Sequence, residues 1–117
     1  MSTSKLGEKG ENRAVEALEE AGMSVIARNF RSRMGEIDVI ALDGEVLVFA
    51  EVKAWSKFGL ESLAHSVGLQ KQRKIIETAK YFLSMHRQYY RRAIRFDVVF
   101  VGKEAVTHLA SAFMETV

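Results

Sequence analysis

From Ile37 to Leu42 and from Val46 to Val52 the chain is apolar except at Asp38 and Glu51. Asp43, Gly44 and Glu45 separate the two runs, and Asp-Gly is a dipeptide favoured in tight hairpin loops. The pattern predicts a β-hairpin. With Asp43 and Gly44 as the loop residues, Leu42 faces Glu45, Glu36 faces Glu51, and Asp38 faces Phe49, diagonal to Glu51. Side chains alternate across a strand. Ile37, Val39, Ala41, Val46, Val48, Ala50 and Val52 therefore share one face and form core. Asp38, Glu51 and Lys53 project from the other, together with Ile40, Leu47 and Phe49.

Helical spacing appears twice. Val15, Leu18 and Ala21 mark the buried stripe of a helix from Gly7 to Ala21, which Gly22 ends. Glu11 lies on that stripe one turn earlier. Ile75, Ala79, Phe82, Met85 and Tyr89 recur at helical spacing within a longer helix from Val67 to Tyr89, with Gln72 extending the stripe toward its start. A strand from Ser24 to Phe30 precedes the hairpin. The near-continuous apolar run from Phe96 to Val101 reads as a buried strand, and Val106 to Ala110 as a last short one. Trp55 to Glu61 reads as a loop, with Trp55 either its apolar anchor or a stacking surface for an unpaired base. The resulting order is α-β-β-β-α-β-β. A helix between the third and fourth strands implies that those two run parallel, in a mixed α/β sheet with helices on its faces.

The chain has 117 residues, of which 48% are hydrophobic and 27% charged. That length suits a single domain with its own core, with residues 1–5 a flexible lead. Cysteine is absent, which excludes disulfides, thiolate metal sites and a cysteine nucleophile. No apolar run approaches a membrane span and no signal-peptide core follows Met1, so the expected location is cytoplasmic.

The net charge of +2 is unevenly distributed. Lys71, Arg73, Lys74, Lys80, Arg87, Arg91, Arg92 and Arg95 are opposed in their stretch only by Glu77. Such a block suits a polyanion, and equally a solvated helix face. Lys71, Gln72, Arg73, Lys74, Lys80, Arg91 and Arg92 are the candidate nucleic-acid contacts.

The hairpin supplies candidate chemistry. Neighbouring carboxylates on one sheet face suit Mg²⁺ or Mn²⁺, hard cations that keep several water ligands. Asp38 and Glu51 are the candidate ligands, with Lys53 placed to stabilise charge on a phosphate under attack. An alternative places Leu47 and Phe49 at a two-fold interface between copies of the chain. His65, His86 and His108 are too widely spaced for a zinc motif, and no phosphate-binding or dinucleotide-binding glycine loop occurs.

An acidic residue followed on the next strand by Glu51-Val52-Lys53 resembles the PD-(D/E)XK nuclease superfamily. More of the chain resembles the YraN-like family of small bacterial proteins within it. The matching stretches are Leu6-Gly7-Glu8-Lys9-Gly10-Glu11-Asn12-Arg13-Ala14, Ala27-Arg28-Asn29-Phe30-Arg31, Gly35-Glu36-Ile37-Asp38, Phe49-Ala50-Glu51-Val52-Lys53, Lys71-Gln72-Arg73 and Arg95-Phe96-Asp97-Val98-Val99. The resemblance implies a restriction-endonuclease-like fold and a divalent-metal endonuclease. DNA is implied as substrate ahead of RNA, in branched forms such as Holliday junctions. It further implies metal ligation by Asp38, Glu51 and the first-helix Glu11, catalysis by Lys53, and an accessory polar role for Gln72. Ile37 replaces the proline of the superfamily signature, and Ala54-Trp55 follows Lys53 where a basic or hydroxyl residue is usual.

Overall fold

The computed structural model describes residues 7–54 and 67–114. Residues 1–5, Trp55 and the loop expected over 55–61 lie outside the described residues. Helix α1 spans Gly7–Glu20, strand β1 Ser24–Arg31, β2 Glu36–Asp43 and β3 Val46–Ala54. Helix α2 spans Leu69–Met85, and a 3₁₀ turn at Arg87–Tyr89 leads to β4 Ile94–Val101 and β5 Val106–Phe113. The strands lie in the order β1-β2-β3-β4-β5. The β3–β4 pair is parallel and the other three pairs are antiparallel. This is the mixed α/β sheet expected of a restriction-endonuclease-like chain. Among the described residues, no helix is long and apolar enough to cross a membrane.

Each face of the sheet carries one helix. Ala14, Val15 and Leu18 of α1 pack on Val39, Ala41, Val48, Ala50 and Val52. On the other face, Ile75, Ile76, Ala79 and Phe82 of α2 cover Ile40, Leu47, Phe49, Phe96 and Phe100. Leu47 and Phe49 are fully buried in this layer, so they form no two-fold interface between copies of the chain.

The long helix stops earlier than its periodicity predicts. The ring of His86 stacks on Phe82 at 4.0 Å and its Nδ1 meets the Phe82 carbonyl at 2.9 Å. The backbone leaves helical angles there, at φ −126° and ψ 74°. His86 thus takes the inward place, and Met85 points into solvent.

The hairpin register also differs. Asp43 pairs with Val46 and Leu42 with Leu47, so Gly44 and Glu45 are the loop residues. Gly44 adopts φ 60°, the positive value a type II′ turn needs at its first central position. The slip is two residues per strand partner, which by itself moves no side chain to the other face but changes its neighbour.

Ile37 is a real exception to the alternation, since it belongs to the α2 layer rather than the α1 layer. The ribbon turns over beside it. Asn29 adopts φ 53°, a left-handed conformation that asparagine tolerates. On one side of Asn29, Arg28 reaches α1; on the other, Phe30 packs edge-on against Phe82 of α2 at 5.1 Å. Phe30 pairs with Ile37 and carries it to the same layer.

Candidate active site

Asp38 and Glu51 meet where β2 parts from β3. The ladder between these strands ends at Val39 and Ala50. One step further in the same register, Asp38 stands opposite Glu51, closer than the diagonal expected from the sequence. There the backbone N–H of Val52 donates to Asp38 Oδ2 at 2.7 Å, so a side chain replaces the missing ladder partner. Both carboxyls are withdrawn from water, with Asp38 0% and Glu51 2% exposed.

The turn before β2 holds this corner against α2. Ser32 N–H donates to the Gly35 carbonyl at 2.8 Å, and the Ser32 and Thr78 hydroxyls meet at 3.0 Å. A Cβ on Gly35 would stand 3.2 Å from Lys74 Cβ and 3.4 Å from Thr78 Oγ1. Glycine therefore permits the close approach that sets the start of β2 on the helix.

Two like charges in a dry corner are costly when both ionise. Burial first, then the charge of Glu51 and a hydrogen bond shared with it, push the Asp38 carboxyl well above the usual carboxylate range; the Val52 N–H opposes this, and the charge of Glu36 adds to it. Lys71, from the first turn of α2, brings its ammonium onto Glu51 Oε2. Outside the pair itself, Asp38 Oδ1 and Glu51 Oε1 have no hydrogen-bond partner, and both are buried. Orphaned buried oxygens on adjacent carboxyls are a donor set suited to a hard divalent cation.

Glu11 stands apart from this pair. Its Oε1 accepts from Arg28 Nε at 2.8 Å, Arg28 Nη2 at 2.5 Å and Asn29 Nδ2 at 3.2 Å. Among the described residues, no three His, Asp or Glu side chains come together as a metal cage. Asp38 and Glu51 thus form a pair of carboxyls with no third acid completing a cage among the described residues. Glu11 Oε2 is also buried without a partner, on the α1 side of Asn29.

Lys53 is half-buried, two residues beyond Glu51 on β3. Gln72 Nε2 donates to the Val67 carbonyl at 2.9 Å and so ties the start of α2 to the chain before it. The basic block divides. Arg73 and Lys74 are exposed beside Lys71. Lys80 pairs with Glu77, and Arg91 is exposed after the 3₁₀ turn. Arg92 lies over the Tyr89 ring and reaches Glu45 at 3.1 Å. Glu45 lies six residues before Glu51, about 20 Å away at strand rise, so Arg92 belongs to the far end of the sheet.

Two features have no clear signal in the sequence. The first is a cleft of about 500 Å³ lined by Lys9, Gly10, Arg13, Val101, Gly102 and Lys103. Arg13 Nη1 donates to the Gly102 carbonyl at 2.6 Å, which fixes that guanidinium at the cleft wall. Val101 is the register partner of Ala54, so the cleft adjoins the end of β3 that carries Glu51 and Lys53. The second is a buried ionic network around Asp97, which is 0% exposed. Its carboxylate takes Arg95 Nε and Nη2, each at 2.9 Å, His108 Nε2 at 2.6 Å and the Ser111 N–H at 2.9 Å. Arg95 Nη1 also reaches Asp43 Oδ2 at 3.0 Å. Burial alone would raise the Asp97 carboxyl; the His108 and Arg95 hydrogen bonds, the Ser111 N–H and the Arg95 charge outweigh it and hold the group at about 2.

The comparisons bear on the whole of this arrangement. Residues 10–101 match the model described as uncharacterised protein family UPF0102. A UPF0102 protein of Treponema denticola is 40% identical over 122 residues, covering 92% of this chain and 94% of the relative. One from Persephonella marina is 38% identical, covering 92% and 91%. One from Caldicellulosiruptor bescii is 41% identical, covering 93% and 94%.

Proposed function

The chain belongs to the uncharacterised protein family UPF0102, and on that premise we propose that it is a divalent-metal-dependent endonuclease acting on structured DNA. The observation that carries this reading is the buried Asp38–Glu51 pair with one orphaned oxygen on each carboxyl. Asp38 and Glu51 would hold Mg²⁺ or Mn²⁺, which supplies, when bound, a water acidic enough to attack and charge to offset a phosphate in displacement.

The chain's own groups account for the rest. The Val52 N–H fixes the rotamer of Asp38, so the carboxylate is set before a ligand arrives. Burial under α2 keeps bulk water from the pair and strengthens its interactions. Lys53 follows Glu51 on the same face of β3 and would stabilise the extra negative charge on a phosphate. Lys9, Arg13 and Lys103 on one side, and Arg73 and Lys74 on the other, line a basic path across that end of the sheet. Such contacts position a sugar-phosphate backbone without reading its sequence. Selection by shape follows, which suits branched DNA.

A second reading is a nucleic-acid-binding or docking module that keeps the fold without turnover. The engagement of Glu11 by Arg28 and Asn29 favours it, because a third acidic ligand is then withheld. Cleavage of duplex, single-stranded, flapped and four-way-junction DNA separates the two. The assay compares wild type with Asp38→Asn in Mg²⁺, Mn²⁺ or chelator. Metal-dependent cutting lost in the variant supports the enzyme. Binding without cutting on every substrate supports the module.

A further inference from the structure

Lys71 is a cation that the carboxylate pair already holds, through Glu51. Its side chain is 45% exposed, whereas that of Glu51 is 2% exposed. One partner of this ion pair is therefore fixed in the core, and the other is tethered by a flexible stem that reaches back to solvent. Lys71 sits on the first turn of α2, whose capping residue Gly68 offers no side-chain cap.

The ammonium satisfies the pair only in part. It meets Glu51 Oε2, while Glu51 Oε1 and Asp38 Oδ1 have no partner outside the pair. A monovalent cation on one carboxyl offsets one negative charge, and a divalent cation between the two can offset both. The exchange leaves no buried charge uncompensated, because the metal takes up Glu51 as Lys71 leaves. Once displaced, the Lys71 ammonium returns to the solvent edge of α2 beside Arg73 and Lys74, which are both exposed. The same charge that was neutralised inside the site then faces an incoming phosphate.

Resting on the nuclease reading above, we propose that Lys71 is an exchangeable cation coupling metal occupancy to nucleic-acid binding. Metal loading frees Lys71 for a phosphate contact, and a phosphate that draws Lys71 out opens the pair to metal. Such coupling is reciprocal, so each ligand tightens the other by the same factor.

The test uses the full chain with Lys71→Met and Lys71→Arg. Mn²⁺ alone is titrated calorimetrically, without nucleic acid. Lys71→Met should bind Mn²⁺ about threefold to fivefold more tightly than wild type, since no resident cation must leave. Lys71→Arg retains the competing charge and should not show that gain. A labelled four-way junction is then titrated in chelator and in Ca²⁺. Wild type should bind it more tightly in Ca²⁺, and Lys71→Met should lose most of that difference. Unchanged or weaker Mn²⁺ binding by Lys71→Met overturns the proposal and leaves the metal site standing, as does coupling that survives the substitution. Wild type that takes up no Mn²⁺ removes the metal site itself, and this proposal with it.

Discussion

Asp38 receives the backbone N–H of Val52 at 2.7 Å, the residue between Glu51 and Lys53. That single bond joins the end of one ladder to the three residues that carry the candidate chemistry. It also explains how an acid pair persists in a dry corner. The strand end needs an acceptor there, and Asp38 supplies it.

Asp38→Asn keeps that acceptor and offers Glu51 a donor at every pH, which Asp38 does only by taking up a proton. The sign follows from the raised Asp38 carboxyl. Above about pH 4 the folded protein holds a proton that the unfolded chain has lost, so folding stability falls as pH rises toward the raised value. In chelator at neutral pH, Asp38→Asn should therefore be more stable than wild type by about 1 kcal/mol or more, several degrees in Tm for a domain of this size. Mn²⁺ should raise the Tm of wild type and leave that of the variant unchanged. Thermal unfolding with and without metal checks both. A variant less stable than wild type in chelator would show that the pair is not strained.

The faces of the hairpin are legible in the sequence because alternation survives any even slip in register. The pairing is not, since Asp43-Gly44 and Gly44-Glu45 both make acceptable two-residue loops; only the second puts Asp38 opposite Glu51. Ile37 departs from its expected face because the reversal rests on one positive φ at Asn29, which no hydrophobic pattern records. Lys71 reads as a nucleic-acid contact in the sequence because its partner lies on another element, twenty residues earlier. The apolar spacing runs past the end of α2 because His86, stacked on Phe82, continues it after the backbone has left the helix. Asp97 stands out in the sequence only as part of a resemblance. Its chemistry emerges when β5 brings His108 and Ser111 alongside, across a register irregularity between Phe96 and Val98.

Asp97 should govern part of the acid limb of stability. Its carboxyl is held at about 2 against an ordinary value of 3.8, so the benefit is complete above about pH 4 and is lost as pH falls toward 2. The shift corresponds to about 2 kcal/mol. Asp97→Ala also strands the Arg95 and His108 groups, and should cost about 3–5 kcal/mol at neutral pH. Urea unfolding from pH 7 to pH 2.5 measures this, with the gap between the two proteins narrowing below pH 4. A constant gap across that range would mean that packing, not charge, sustains the site.

Glu11 offers a sharper distinction between ligand and support. Its Oε1 gathers Arg28 and Asn29, and it does not join a three-acid cage among the described residues. Glu11→Ala should lower stability by about 1–2 kcal/mol, since Arg28 is still met by Asn12 Oδ1 at 2.7 Å. Mn²⁺ affinity should stay within about threefold of wild type. A loss of tenfold or more, without a matching loss of stability, would place Glu11 among the ligands through its unused Oε2.

The basic path predicts how DNA binding responds to salt. Lys9 and Lys103 line the cleft beside the end of β3 that bears Glu51 and Lys53, and both are exposed, so their removal leaves the core intact. Removing one phosphate-neutralising charge lowers the steepness of log affinity against log salt by about 0.9. Lys9→Ala combined with Lys103→Ala should reduce that slope by about 1–2 for junction DNA in chelator, where cleavage does not intervene. Arg92→Ala should not change it, because Arg92 is engaged at the far end of the sheet by Tyr89 and Glu45. Anisotropy titrations at several salt concentrations give all three slopes. An altered slope for Arg92→Ala with none for the lysine pair would move the track to the opposite end of the sheet and detach it from the carboxylates.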